Sequence, residues 1–93
     1  MEKLTVFYLE GCPYCRNAEK AVEELRTELP GFQAVVIDWV EERRFADLAN
    51  RYDYYNVPSI FHGEKKLYEC KPGEGYDTIK QNFKRAIESV INA

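Results

Sequence analysis

The feature that most constrains this chain is the tetrapeptide Cys12-Pro13-Tyr14-Cys15, set between an apolar run and an amphipathic helical pattern. The run Leu4-Thr5-Val6-Phe7-Tyr8-Leu9 has the composition of a strand covered on both faces. Glu10-Gly11 breaks it, and Cys12 stands where a helix would begin. Pro13 suits the first helical turn, because its missing N–H would have found no partner there. Ala18, Ala21, Val22, Leu25 and Leu29 then recur at helical spacing until Pro30-Gly31 stops the pattern. Two cysteines so spaced, between a strand and a helix, read as a redox motif before they read as half of a zinc site. A zinc ribbon would need a second such pair, and the chain has none and a single histidine, His62.

Downstream, Ala34-Val35-Val36-Ile37, within Phe32 to Val40, predicts a second buried strand. Strand, crossover helix and strand make a right-handed βαβ unit with parallel strands. Glu41 to Tyr52 reads as a second helix, from Phe45, Leu48, Ala49 and Tyr52 at helical spacing, and residues 53–56 as a loop. Val57-Pro58 opens a third strand, Ser59-Ile60-Phe61, where a proline costs no central ladder bond. His62-Gly63-Glu64 reads as a hairpin turn into a fourth strand, Lys65 to Cys70. After the loop Lys71-Pro72-Gly73-Glu74-Gly75, Asp77 or Thr78 would cap a last helix carrying Ile79, Phe83, Ile87 and Ile91. The order β-α-β-α-β-β-α predicts an α/β three-layer sandwich, a four-stranded mixed sheet with helices on both faces.

Its 93 residues, 45% apolar and 14% aromatic, suit one domain, 1–93, with a packed core. A formal charge of −3 with no basic stripe argues against nucleic acid. No apolar stretch approaches the ~20 residues that span a bilayer. Met1-Glu2-Lys3 leads straight into a strand, so no membrane association is expected and the cytoplasm is the expected compartment. No conspicuous apolar surface pattern is present, and a monomer is expected. Three cysteines in a reducing compartment point to catalytic or free thiols.

The nucleophile in thiol chemistry is the thiolate. Cys12, at the amino end of a helix, would meet unpaired backbone N–H groups and the positive end of the macrodipole. A CxxC cysteine so placed is expected at about 3.5–7.5, against ~8.5 for a free thiol. Glu10 opposes that shift and Arg16 favours it, both screened by solvent. Cys15 lies one turn further on the same face, where the two sulfurs can meet. Cys12 is therefore the expected attacking cysteine and Cys15 the resolving one, more buried and with the higher pKa. Pro13 and Tyr14 would shape the surface beside Cys12.

Cys12-Pro13-Tyr14-Cys15 resembles the dithiol active site of glutaredoxins, and Val57-Pro58 resembles the cis-proline element of the thioredoxin superfamily. The element order is similar to that of a glutaredoxin, the minimal thioredoxin fold. The resemblance implies that Pro58 is cis and faces the cysteines, and that the Val57 main chain pairs with a substrate peptide or glutathione. Towards its end the chain is more similar to thioredoxins. Leu9 stands where glutaredoxins commonly carry a lysine for the glutathione carboxylate, and their Gly-Gly pair is represented only by Gly73 and Gly75, ahead of Asp77. The span from Pro58 to Gly73 resembles the thioredoxin tail, although Gly11 occupies the place of the thioredoxin tryptophan.

The implied function is reduction of protein or glutathione mixed disulfides by dithiol exchange, with no tightly bound cofactor. The electron donor would be glutathione, as co-substrate, or a thioredoxin-reductase-type flavoenzyme. Pro13, Tyr14, Val57, Pro58, Tyr55 and Gly73 are the expected substrate-binding residues. Two other readings compete. One is an iron–sulfur cluster held by Cys12 and glutathione across a dimer. The other is a peptide-binding module using the Val57-Pro58 groove.

The remaining candidates have plainer readings. Cys70, at a strand end, is expected as a small buried hydrophobe rather than a regulatory thiol. His62 is expected to be exposed, Trp39 to pack, and Asp38 to be solvated rather than a base. Tyr52, Tyr54 and Tyr55 either cover a core or, running directly into Val57-Pro58, supply Tyr54 or Tyr55 to the substrate groove.

Overall fold

Leu4, Val6 and Phe7 are fully buried and Thr5 nearly so, which places the first apolar run at the centre of a sheet. The computed structural model describes residues 2–92. Its elements are β1 (Glu2–Tyr8), α1 (Pro13–Glu28), a 3-10 turn (Phe32–Ala34), β2 (Val35–Glu41), α2 (Ala46–Ala49), β3 (Ser59–His62), β4 (Lys65–Glu69) and α3 (Tyr76–Ile91). The sheet order is β2-β1-β3-β4. β1 and β2 are parallel, from Glu2 opposite Val35 to Tyr8 opposite Glu41, with α1 as their crossover. β3 runs antiparallel to both β1 and β4. This is the expected α/β sandwich with a four-stranded mixed sheet.

Alternation along β1 divides the core. Leu4 and Val6 face α1 and α3, among Ala18, Val22, Leu25, Ile79, Phe83 and Ile87. Phe7 faces the other way, against Val40, Ala49 and Phe61. Trp39 packs at the edge of the first cluster, with its ring edge-on to Tyr8. Among the described residues no helix is long and apolar enough to cross a membrane.

Three local expectations change. The helix expected over 41–52 is reduced to Ala46–Ala49. Glu41 instead completes β2 and is buried, and its carboxylate takes the N–H groups of Arg43 and Arg44, turning the chain before a helix can start. Phe32–Ala34 form a 3-10 turn ahead of β2. Gly75, rather than Asp77 or Thr78, stands at the N-cap of α3, without a side-chain cap bond.

The topology gathers the chemically interesting residues at one end of the sheet. β1 and β2 both finish there, and Phe7 pairs with Ser59, the residue after Pro58. Ser59 in turn pairs with Glu69 at the end of β4, just before Cys70 and the loop 71–75. The loops carrying Cys12, Val57-Pro58 and Gly73 therefore leave the sheet side by side.

Candidate active site

Residues Leu9 to Cys12 form a turn closed by the Cys12 N–H on the Leu9 carbonyl at 3.3 Å. Gly11 sits in it at φ +82°, a left-handed conformation that a side chain disfavours. Cys12 is the N-cap of α1, with extended backbone and no side-chain cap bond. The first intrahelical bond runs from the Arg16 N–H to the Cys12 carbonyl at 3.0 Å. The Tyr14 and Cys15 N–H groups, in the first turn, precede that bond and have no such intrahelical partner.

Cys12 is half-buried and Cys15 only 1% exposed. Both are free thiols. Burial pushes the Cys15 thiol far up from its ordinary value. A backbone bond with Leu9 works against that, and the Cys12 and Cys70 sulfurs add to it. The pair therefore has an accessible sulfur at the helix end and a desolvated one a turn inside.

Tyr14 is half-buried against the α1/α3 face of the core, and its hydroxyl accepts the Gly73 N–H at 2.7 Å. This ties the motif to the loop before α3. Gly73 adopts φ +92° there, and the loop is closed by Glu74, whose carboxylate accepts the Lys71 N–H at 2.8 Å and the Tyr68 hydroxyl at 2.7 Å. Pro13 is exposed beside Cys12.

The Val57-Pro58 peptide bond is cis, as the resemblance implied. Pro58 is buried and its carbonyl accepts the Cys70 N–H at 3.0 Å, while half-buried Val57 packs on the Phe7 side of the sheet. Glu69 holds the approach to this proline, accepting the N–H groups of Tyr55 at 3.1 Å and Asn56 at 2.8 Å. Of the two tyrosines considered for a groove, Tyr54 stacks on Phe7 with ring centroids 5.0 Å apart and donates to Glu42 at 2.7 Å. The Tyr55 ring is 88% exposed. It borders a groove of about 550 Å³ shared with Glu42, Arg43, Ala46, Asn50 and Tyr54. Neither cysteine lines that groove.

Cys70 is 1% exposed within the core cluster, as expected for a small hydrophobe, and burial raises its pKa. His62 is exposed and meets Glu2 at 2.8 Å, and Asp38 is solvated at 4.0 Å from Lys3. Among the described residues no group of three or more His, Cys, Asp or Glu is placed to hold a metal ion. Sequence reasoning missed Glu69 and Glu74, and also Glu41, 3% exposed, whose carboxylate accepts the Glu10 N–H at 3.1 Å. An acidic residue between an apolar run and two arginines looks the same whether it ends a strand or starts a helix.

No family model matches the chain, and no curated protein matches it. Solved structures do. An oxidised thioredoxin from Plasmodium falciparum superposes with a TM-score of 0.67 at 13% identity, covering 96% of this chain and 80% of that one. The germline-specific thioredoxin Deadhead from Drosophila melanogaster gives 0.65 at 18% identity, covering 94% and 78%. A mutant thioredoxin from Halobacterium salinarum gives 0.60 at 24% identity, covering 94% and 72%. At these identities the likeness is one of fold. The chain has the thioredoxin fold, with a CxxC pair at the start of its first helix.

Proposed function

We propose that this thioredoxin-fold chain is a thiol–disulfide oxidoreductase that reduces protein or glutathione mixed disulfides by dithiol exchange. The observation that carries the reading is the asymmetry of the pair, with Cys12 half-buried at the N-cap of α1 and Cys15 1% exposed one turn inside. The Cys12 thiolate attacks a substrate disulfide. One substrate sulfur leaves as a thiolate and the other stays bound to Cys12 as a mixed disulfide. Cys15 then gives up its proton and attacks the Cys12 sulfur, releasing the second substrate thiolate. Two electrons have passed to the substrate, and the protein holds a Cys12–Cys15 disulfide.

Desolvation keeps Cys15 protonated until the mixed disulfide forms beside it, which suits a resolving thiol. The exposed Tyr55 ring, the Val57 main chain and the Pro13 surface offer the substrate a platform. Reduction of the resulting disulfide draws on glutathione or on a flavoenzyme dithiol donor. Both are consistent with a glutaredoxin-like motif on a chain whose tail is thioredoxin-like.

The test is turnover of a protein disulfide and of a glutathione mixed disulfide. One assay is coupled to glutathione with glutathione reductase, the other to thioredoxin reductase. Cys12→Ser should abolish turnover in both. Cys15→Ser should keep only glutathione-dependent monothiol exchange. Full dithiol turnover in Cys12→Ser would end the assignment.

A further inference from the structure

We propose that Glu41 is a positioning residue for the candidate site: its buried carboxylate fixes the loop that presents the Cys12 sulfur. The inference rests on the reading of Cys12 as nucleophile. Glu41 ends β2 opposite Tyr8, the last residue of β1. One carboxylate oxygen, Oε2, accepts the Glu10 N–H at 3.1 Å. The other, Oε1, accepts the N–H groups of Arg43 at 2.7 Å and Arg44 at 3.2 Å. A single side chain thus joins the two connections that leave the neighbouring parallel strands, one to Cys12 and the other to α2.

Burying a carboxylate is unfavourable unless donors compensate for lost water. Here they do, and the Glu41 pKa is held below its ordinary value, with the Glu10 amide as the largest cause. The loop has little else to fix it from this side. Glu10 and Gly11 are exposed, and the Cys12-to-Leu9 turn bond is long at 3.3 Å. The Glu10 side chain meets Arg44 at 3.1 Å, but both groups are about two-thirds exposed, and such pairs contribute little. The β2 carboxylate therefore sets how the chain enters α1, and with it where the N-cap sulfur stands relative to the helix terminus.

Charge and position make opposite demands on Cys12, which makes the proposal testable. Removing a nearby anion, by itself, favours the thiolate, speeds alkylation and raises the reduction potential of the pair. Letting the loop drift from the helix terminus slows alkylation and lowers that potential. Glu41→Ala removes the charge and every acceptor. Glu41→Gln removes the charge but keeps one acceptor oxygen.

Alkylation of Cys12 by iodoacetamide at pH 7, mapped by peptide mass, should be about tenfold slower in Glu41→Ala. Glu41→Gln should lose less in the same direction, and the Cys12–Cys15 potential in glutathione buffers should fall in the same order. Amide exchange at Glu10, Arg43 and Arg44 should accelerate in Glu41→Ala while Val6 and Ile60 stay protected. Unchanged or faster alkylation in Glu41→Ala, or equal effects of Ala and Gln, would overturn the proposal. If Glu41→Ala does not fold, Glu41→Gln decides by the same sign. First alkylation of the parent protein at Cys15 or Cys70 would instead overturn the nucleophile reading, and the amide exchange would still test the anchor.

Discussion

α1 and the segment between β2 and β3 both follow strands that finish at the same end of the sheet, and they are held in different ways. α1 runs 16 residues and buries Cys15, Ala18, Ala21, Val22 and Leu25. The other segment keeps four residues of α-helix and buries only Ala49 among them. Leu48 and Tyr52 are half-buried, and Phe45 is 55% exposed. Packing of an apolar stripe between β1 and α3 stabilises the first. Hydrogen bonds from the backbone to Glu41 shape the second. Helical spacing of apolar residues is thus sufficient where a partner covers the whole stripe. It yields where a buried acceptor competes for the first N–H groups.

The largest effect that could break this contrast comes from truncating each apolar stripe. Leu25 is fully buried, and Leu25→Ala should cost about 2–5 kcal/mol in urea unfolding, from lost transfer energy and the cavity left behind. Leu48→Ala, at a half-buried position, should cost roughly half as much or less. Equal losses would mean that the second segment is packed as α1 is, and the contrast would fail.

Acid sharpens the same contrast, because each region has one carboxylate held below its ordinary value of 4.5. Glu24, on α1, is lowered first by the Tyr76 hydroxyl and then by Lys80, both on α3. Glu41 is lowered first by the Glu10 amide. In both cases the folded pKa lies below the unfolded one. The stabilisation is complete above the ordinary value and is lost as pH falls through the folded value. Stability to urea should therefore decline below about pH 4.5. Glu24→Gln should flatten that decline in the global unfolding curve. Glu41→Gln should flatten the acid-induced exchange of the Glu10, Arg43 and Arg44 amides. Exchange at those three amides that ignores pH would separate Glu41 from the turn.

What was legible in the sequence follows the same division. β1, α1, β3, β4 and α3 could be read because apolar runs or helical repeats mark them and a Gly or Pro stands near at least one boundary of each. The Cys12–Cys15 asymmetry followed from the place of the motif at a helix start. The cis bond at Pro58 was legible only through resemblance, since a local X-Pro sequence favours trans. Residues 41–45 were misread because the deciding interaction, Glu41 to Glu10, links positions far apart in the chain. The bond from Gly73 to Tyr14 spans still more of it. Periodicity reports which face of an element is buried, and a carboxylate reaching across to another loop leaves no period.

The smallest expected effect concerns the opposite flank of the motif, where Tyr14 rather than Glu41 reaches across the site. Tyr14→Phe keeps the ring against the core and removes only the acceptor of the Gly73 N–H. A single neutral hydrogen bond is worth about 0.5–1.5 kcal/mol, and exposure of Gly73 places this one at the lower end. The global urea midpoint should move little, whereas amide exchange at Gly73 should become markedly faster. Glu74 holds the rest of that loop through the Lys71 N–H and the Tyr68 hydroxyl, so the loss should stay local. A large global destabilisation would show that the tyrosine flank carries packing energy as α1 does. An unchanged Gly73 exchange rate would show that the loop is held by Glu74 alone. The Glu41 flank would then be the more strongly anchored side of the candidate site.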